Sequence, residues 1–115
     1  MPSYAAPSLS PEAESAINVL GANAARLAVL AFIVEHPACL VSEIAEGTDL
    51  AIGTVKTHVA ALTTLGVLSP DPAPTVPYAE RRGRRTRYTV DKQRLTHHYD
   101  QLGKTLGIVT PRATP

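Results

Sequence analysis

The stretch "VSEIAEGTDLAIGTVKTHVAALTTLGVL", residues 41–68, carries two helical periods separated by a short break. In its first part Val41, Ile44 and Ala45 recur at helical spacing, and Gly47 stands just past the expected helix end. "TDLA" (48–51) reads as a turn. In "IGTVKTHVAALTTLG" (52–66), Val55, Val59, Leu62 and Leu65 follow at steps of four, three and three, one inward stripe on a longer helix. Gly66 ends that helix, and the apolar pair Val67-Leu68 reads as the start of a strand. Two helices joined by a short turn, the second followed by glycine and an apolar pair, form the helix-turn-helix layout.

Upstream, Ser10-Pro11-Glu12 has the chemistry of a helix start. Serine accepts from orphan amides, proline has no amide to leave unpaired, and glutamate favours the positive end. The helix predicted from there runs over 10–20 with Ala13, Ile17 and Leu20 inward, and ends at Gly21. Asn23 caps a second helix over 24–35, whose inward residues are Leu27, Leu30, Ile33 and Val34; Pro37 forbids its continuation. Downstream, "SPDPAPTVPYAE" (69–80) holds Pro70, Pro72, Pro74 and Pro77, which exclude a central strand and leave a loop or irregular edge. Residues 78–82 and 84–90 are expected as two strands reversing near Gly83. Asp91 caps a last helix over 92–106, with Leu95, Tyr99, Leu102 and Leu106 on one stripe.

This order gives a mainly α fold with a β-hairpin wing, the winged helix-turn-helix. The expected organisation is a flexible N-terminal arm (1–9), one domain (10–107) and a flexible tail (108–115). Within the domain, helices 10–20 and 92–106 are expected to serve dimerisation. A chain of 115 residues with 44% hydrophobic and 18% charged residues suits one small globular domain. The apolar stretch 27–34, bounded by Arg26 and Glu35, is too short to span a membrane, and "MPSYAAPSLSPEAE" lacks the layout of a secretory signal. Cys39 is the single cysteine, so no intrachain disulfide forms and a reducing cytoplasm is the expected setting.

With that frame, residues also resemble a family. "LGANAARLAVL" (20–30) resembles the Leu-Gly-Asp/Asn-x-x-Arg-Leu-x-Ile-Leu opening of ArsR-type repressors. Residues 41–68 are similar to that family's turn, reader helix and "x-His-Leu-x-x-Leu-x-x-x-Gly-Leu-Val" ending, and "RRGRRTRYTV" (81–90) resembles its wing. MarR-type and other winged-helix regulators share most of these marks. The resemblance implies a homodimeric DNA-binding repressor. The chain departs from the family where a serine and polar residues usually open the reader helix: Ala51, Ile52 and Gly53 stand there instead.

The residues make a physical case of their own. With Val55, Val59 and Leu62 inward, the 52–65 helix turns Ile52, Gly53, Thr54, Lys56, Thr57 and Ala60 outward near the end that enters the major groove in such proteins. Lys56 can donate to a guanine edge or a phosphate, Thr54 and Thr57 can bond a base or phosphate or touch a thymine methyl, and Gly53 permits close approach. The formal net charge is only +1, yet Arg81, Arg82, Arg84, Arg85 and Arg87 fall within seven residues around Gly83. Arginine forks onto phosphates and enters narrow minor grooves, so these five are expected DNA contacts. His58 is expected to pack, partly buried, against the turn, and Arg26 to tie helices together.

The dimer is expected to form through Ile17, Leu20, Leu95, Tyr99, Leu102 and Leu106. Cys39 alone makes no thiolate cluster, and His97 and His98, adjacent on a helix, point about 100° apart, so no metal site is assigned. No catalytic set, cofactor site or membrane segment emerges, and the sequence names no effector. The partner expected is double-stranded DNA. Two alternatives from other classes are a winged-helix protein-interaction module and a DNA-architectural or mobile-element factor without repressor activity.

Overall fold

A computed structural model of the chain describes residues 9–20 and 23–108. The arm (1–9, save Leu9), the stop at Gly21 and the tail beyond Ile108 lie outside the described residues. In chain order the elements are α1 (Pro11–Leu20), α2 (Ala24–Glu35), β1 (Cys39–Leu40), α3 (Val41–Thr48) and α4 (Ile52–Thr64). There follow β2 (Leu68–Asp71), α5 (Tyr78–Arg81), β3 (Arg87–Val90) and α6 (Lys92–Thr105). The protein is mainly helical, with a small antiparallel sheet in the order β1-β3-β2.

Local capping chemistry sets the helix starts. Ser10 Oγ accepts from the Ala13 amide at 3.1 Å, Asn23 Oδ1 from the Arg26 amide at 2.8 Å, and Asp91 Oδ1 from the Arg94 amide at 3.1 Å. At α3 the cap is different: Leu40 has no acceptor side chain, and Glu43 Oε1 instead reaches back to accept from the Leu40 amide at 2.7 Å. Gly66, at φ 79°, ends α4 as expected.

Packing differs from the sequence expectation in four places. Gly47 lies inside α3, and the left-handed residue after the helix is Asp49 (φ 57°). Gly47 is there for space: a Cβ would fall inside the Phe32 ring of α2. On α1 the buried residues are Ala13, Ala16 and Val19, while Ile17 is 37% exposed and Leu20 half-buried. This helix packs chiefly on α6, and the small alanines allow the approach. On α2 the buried set is Val29, Leu30 and Ile33, and Leu27 is 49% exposed. That helix is apolar almost all round, so one face of it stays open in the protomer.

The fourth difference concerns the hairpin. Residues 78–82 do not form a strand: α5 occupies Tyr78–Arg81, and the chain turns at Gly83 with φ 78°. The partner of β3 is β2, paired from Leu68↔Val90 to Asp71↔Arg87. β2 tolerates Pro70 because it is an edge strand, paired on one side only. The opposite edge of β3 takes the short strand β1, in register Cys39↔Tyr88 and Leu40↔Arg87.

The core collects Ile33 from α2, Ile44 from α3, Val55 and Leu62 from α4, and Val67 beside β2, all fully buried. It fixes α3 and α4 against the sheet, and thereby sets where their outer faces point. Among the described residues no single helix is long and apolar enough to cross a membrane.

Candidate nucleic-acid interface

The two faces of α4 separate cleanly. Val55, His58, Val59 and Leu62 are buried, whereas Ile52, Gly53, Thr54, Lys56, Thr57 and Ala60 are exposed. Burial of His58 in that stripe is the one addition to the expected inward set. The Thr57 hydroxyl donates to the Gly53 carbonyl at 3.0 Å, which leaves its oxygen as an acceptor only. Ala51 makes no side-chain cap, so the amides of the first turn keep no side-chain acceptor of that kind.

Behind this face, Arg26 joins three helices. Its Nε donates to His58 Nδ1 at 3.1 Å on α4, and its Nη1 donates to the Asn18 carbonyl at 3.0 Å and to Asn18 Oδ1, both on α1. An accepting Nδ1 requires neutral imidazole with its proton on Nε2. Burial, and then the Arg26 charge, hold the His58 pKa below the usual histidine value.

The five arginines do not act as one patch. Arg81, on α5, donates through Nε to the Val76 carbonyl at 2.7 Å and lies 5.9 Å from the Tyr78 ring centre. Arg87 donates to the Ala38 carbonyl at 3.0 Å. Arg81 therefore braces the connection between β2 and β3, and Arg87 ties β3 to the turn before β1. Arg84 stands 3.7 Å from Asp71, both of them exposed, a pair of the kind that contributes little in water. Arg82 is exposed beside Gly83. Arg85 turns back toward the body, and its Nη2 donates to Ser42 Oγ at 3.0 Å.

That last bond closes one side of a cleft of about 470 Å³ between α3, α4 and β3. Lys56 and Arg85 line it together with the hydroxyl residues Ser42, Thr86 and Tyr88, and no carboxylate does. The structure thus brings two of the expected contact residues of α4, Ile52 and Lys56, and one of the arginine run, Arg85, to the same place. Ser42, Thr86 and Tyr88 escaped sequence reasoning. The available signal was Ser42's place among the apolar Val41, Ile44 and Ala45, on the side of the short helix turned from the core.

A second cleft, about 460 Å³, is apolar. Leu27, Leu30 and Val34 of α2 face Leu95 and Tyr99 of α6 across it, with Leu20 at the end of α1. Of the expected dimerisation residues, Leu20, Leu95 and Tyr99 meet here. Ile17, Tyr99 and Leu106 are 37%, 59% and 66% exposed in the protomer, and Leu102 is half-buried.

The histidines of α6 diverge. His97 is exposed, and His98 is buried with an unpartnered Nδ1. Among the described residues no group of three or more His, Cys, Asp and Glu side chains is placed to hold a metal. Cys39 is buried in β1 with its thiol 3.9 Å from the Tyr88 carbonyl, and burial pushes its pKa up. Compared with known proteins, the chain matches no family model and no curated sequence.

Proposed function

We propose that this chain is a winged helix-turn-helix transcriptional regulator of the ArsR or MarR-like kind, a cytoplasmic homodimeric repressor of double-stranded DNA. In this reading α3 and α4 are the helix-turn-helix, Ile52, Gly53, Thr54, Lys56 and Thr57 enter the major groove, and the β2/β3 hairpin with its connection is the wing. Arg81, Arg82, Arg84, Arg85 and Arg87 supply backbone and minor-groove contacts. No catalytic step is part of this function.

The observation that carries the reading is the carboxylate-free cleft where the exposed face of α4 meets the arginine run. A chain of net charge +1 has concentrated cations beside the exposed outer face of α4. The open apolar side of α1, α2 and α6 supports a two-fold dimer through Ile17, Leu20, Leu95, Tyr99, Leu102 and Leu106. Such a dimer binds a pseudo-palindromic operator with half-sites about 10–10.5 bp apart or a multiple of that.

Selection of binding sites from random DNA, with the mass of the complex recorded, tests this. The expected result is a palindromic consensus bound by two copies, with affinity falling steeply as salt rises. A protein-interaction module predicts no salt-dependent DNA affinity. A DNA-architectural factor predicts monomers or cooperative arrays on unrelated sequences.

A further inference from the structure

We propose that the cleft between α3, α4 and β3 is a socket for one DNA backbone phosphate per protomer, and that Lys56 serves that phosphate rather than a base edge. The inference rests on the DNA-binding reading above and goes beyond it by dividing the contacts between backbone and bases. The sequence left Lys56 open to either partner; the placement of its neighbours decides.

Three features point to a phosphodiester. First, the donors converge. Arg85 uses one N–H on Ser42 Oγ, and its remaining guanidinium donors face no carboxylate of the cleft. Ser42 accepts that bond through its oxygen, so its hydroxyl proton stays free to donate to an anion. Thr86 and Tyr88 also line the cleft, each with a hydroxyl able to donate, and burial pushes the Tyr88 phenol's pKa up. Second, neither acid of α3 lines the cleft, and Glu43 is engaged with the Leu40 amide at 2.7 Å. Lys56 and Arg85 therefore keep their charge for a ligand.

Third, the position fits the path of a strand. When α4 lies in the major groove and the arginine hairpin in the adjacent minor groove, the sugar–phosphate strand dividing those grooves crosses the ground between α4 and β3. This cleft is that ground. Its walls include Val41 and Ile52, apolar surface suited to the flanking deoxyriboses. The Ser42–Arg85 bond holds the guanidinium in place before DNA arrives, so less freedom is lost on binding. A phosphate seated here fixes the register of α4 in the groove. Discrimination among bases then falls to Thr54, Thr57 and the open backbone at Gly53.

The test uses the full chain with Lys56→Gln, Arg85→Gln and the double variant. Both side chains are exposed, and circular dichroism checks that each variant folds. Each single variant is expected to weaken binding to every DNA sequence alike. Each lowers the slope of log affinity against log salt by up to about 0.9 per protomer. The double variant loses about 0.9 per protomer in all, because both cations serve one phosphate. Sites selected from random DNA by the Lys56→Gln variant should give the same consensus as the parent. A changed consensus at any base, or a double-variant slope loss of about 1.8 per protomer as for two separate phosphates, overturns the socket while leaving DNA binding intact. If the parent shows no salt-dependent DNA affinity, the functional reading fails, and inorganic phosphate at constant ionic strength judges the socket separately. Amide shifts confined to Ser42, Lys56, Arg85 and Thr86 then uphold an anion site; shifts absent, or spread evenly over the basic residues, overturn it.

Discussion

Two clefts of nearly equal size, about 470 and 460 Å³, lie on this small protein and are made of opposite materials. One joins α3, α4 and β3 and is lined by Lys56, Arg85 and three hydroxyls. The other joins α1, α2 and α6 and is lined by leucines, Val34 and Tyr99, with Glu35 as its one carboxylate. The contrast shows that volume alone says little about a surface. Charge without counter-charge marks the first for an anion, and apolar area without a cover marks the second for another apolar surface. On the proposed function each has its partner: DNA for the first, a second copy of the chain for the second.

The largest expected effect comes from placing charge on the apolar side. Tyr99→Glu with Leu106→Glu changes residues that are 59% and 66% exposed, so the protomer should fold unchanged. The proposed dimer should dissociate, halving the mass seen by sedimentation. Affinity for a two-half-site operator should fall by about 10²–10⁴, the usual gain from linked binding. An unchanged mass would remove this face from the dimer.

Next in size is the outer end of the hairpin. Arg82→Ala with Arg84→Ala should weaken binding to all sequences and lower the salt slope by about 0.9 for each phosphate that is no longer neutralised. Together with the socket variants, this apportions the electrostatics between the tip and the cleft. Full binding by the double alanine variant would take the hairpin tip out of the contact and sink the wing assignment.

A smaller change tests how the charged cleft is held. Gly47→Ala gains about 1 kcal/mol of helix propensity but drives a methyl into the Phe32 ring. Overpacking of that kind costs about 1–3 kcal/mol, so the clash should win and the unfolding midpoint should fall. A rise in the midpoint would show that Phe32 yields easily and that the α2–α3 seat is loose.

The smallest effect is with pH. The folded state holds His58 below its ordinary pKa, by burial and by Arg26, so it binds the proton less readily than the unfolded chain does. Stability is therefore full above about pH 6.5 and is lost as pH falls below that value toward the folded pKa. His98 shifts in the same direction, through burial first and then His97, and contributes with the same sign. His58→Gln keeps an acceptor for Arg26 without a titrating group, and should flatten part of this slope in denaturant melts at several pH values. An identical slope in the variant would assign the whole effect elsewhere.

What the sequence made legible follows from how local each cause is. Asn23 and Asp91 were readable as caps because a cap is chemistry within a few residues. The outward face of α4 was readable because its stripe of Val55, Val59 and Leu62 has a clear period. The partner of β3 was not readable. Pro70 and Pro72 argue against a strand unless it is known to lie at an edge, and edge position is a property of the whole sheet. The buried faces of α1 and α2 were turned from expectation for a related reason. Large apolar residues such as Ile17 and Leu27 look like core, yet α1 approaches α6 through Ala13 and Ala16, and the larger side chains are left outside. In the candidate site, Lys56 and the arginines stood out as charges, while Ser42, Thr86 and Tyr88 acquire meaning only when α3 and β3 come together.

The three-way contact of Arg26 has a consequence for measuring distance. A two-fold protein reads an operator partly as a ruler, through the separation of its two α4 helices. That separation is only as constant as the joint between the dimerising helix and the reading helix within each copy. Here Asn18 of α1 and His58 of α4 share one guanidinium, so both helices are indexed to a single planar group. On the proposed function Arg26 is the calibration point of the ruler: a change in its length or fork would alter which half-site spacing is preferred before it altered which bases are read.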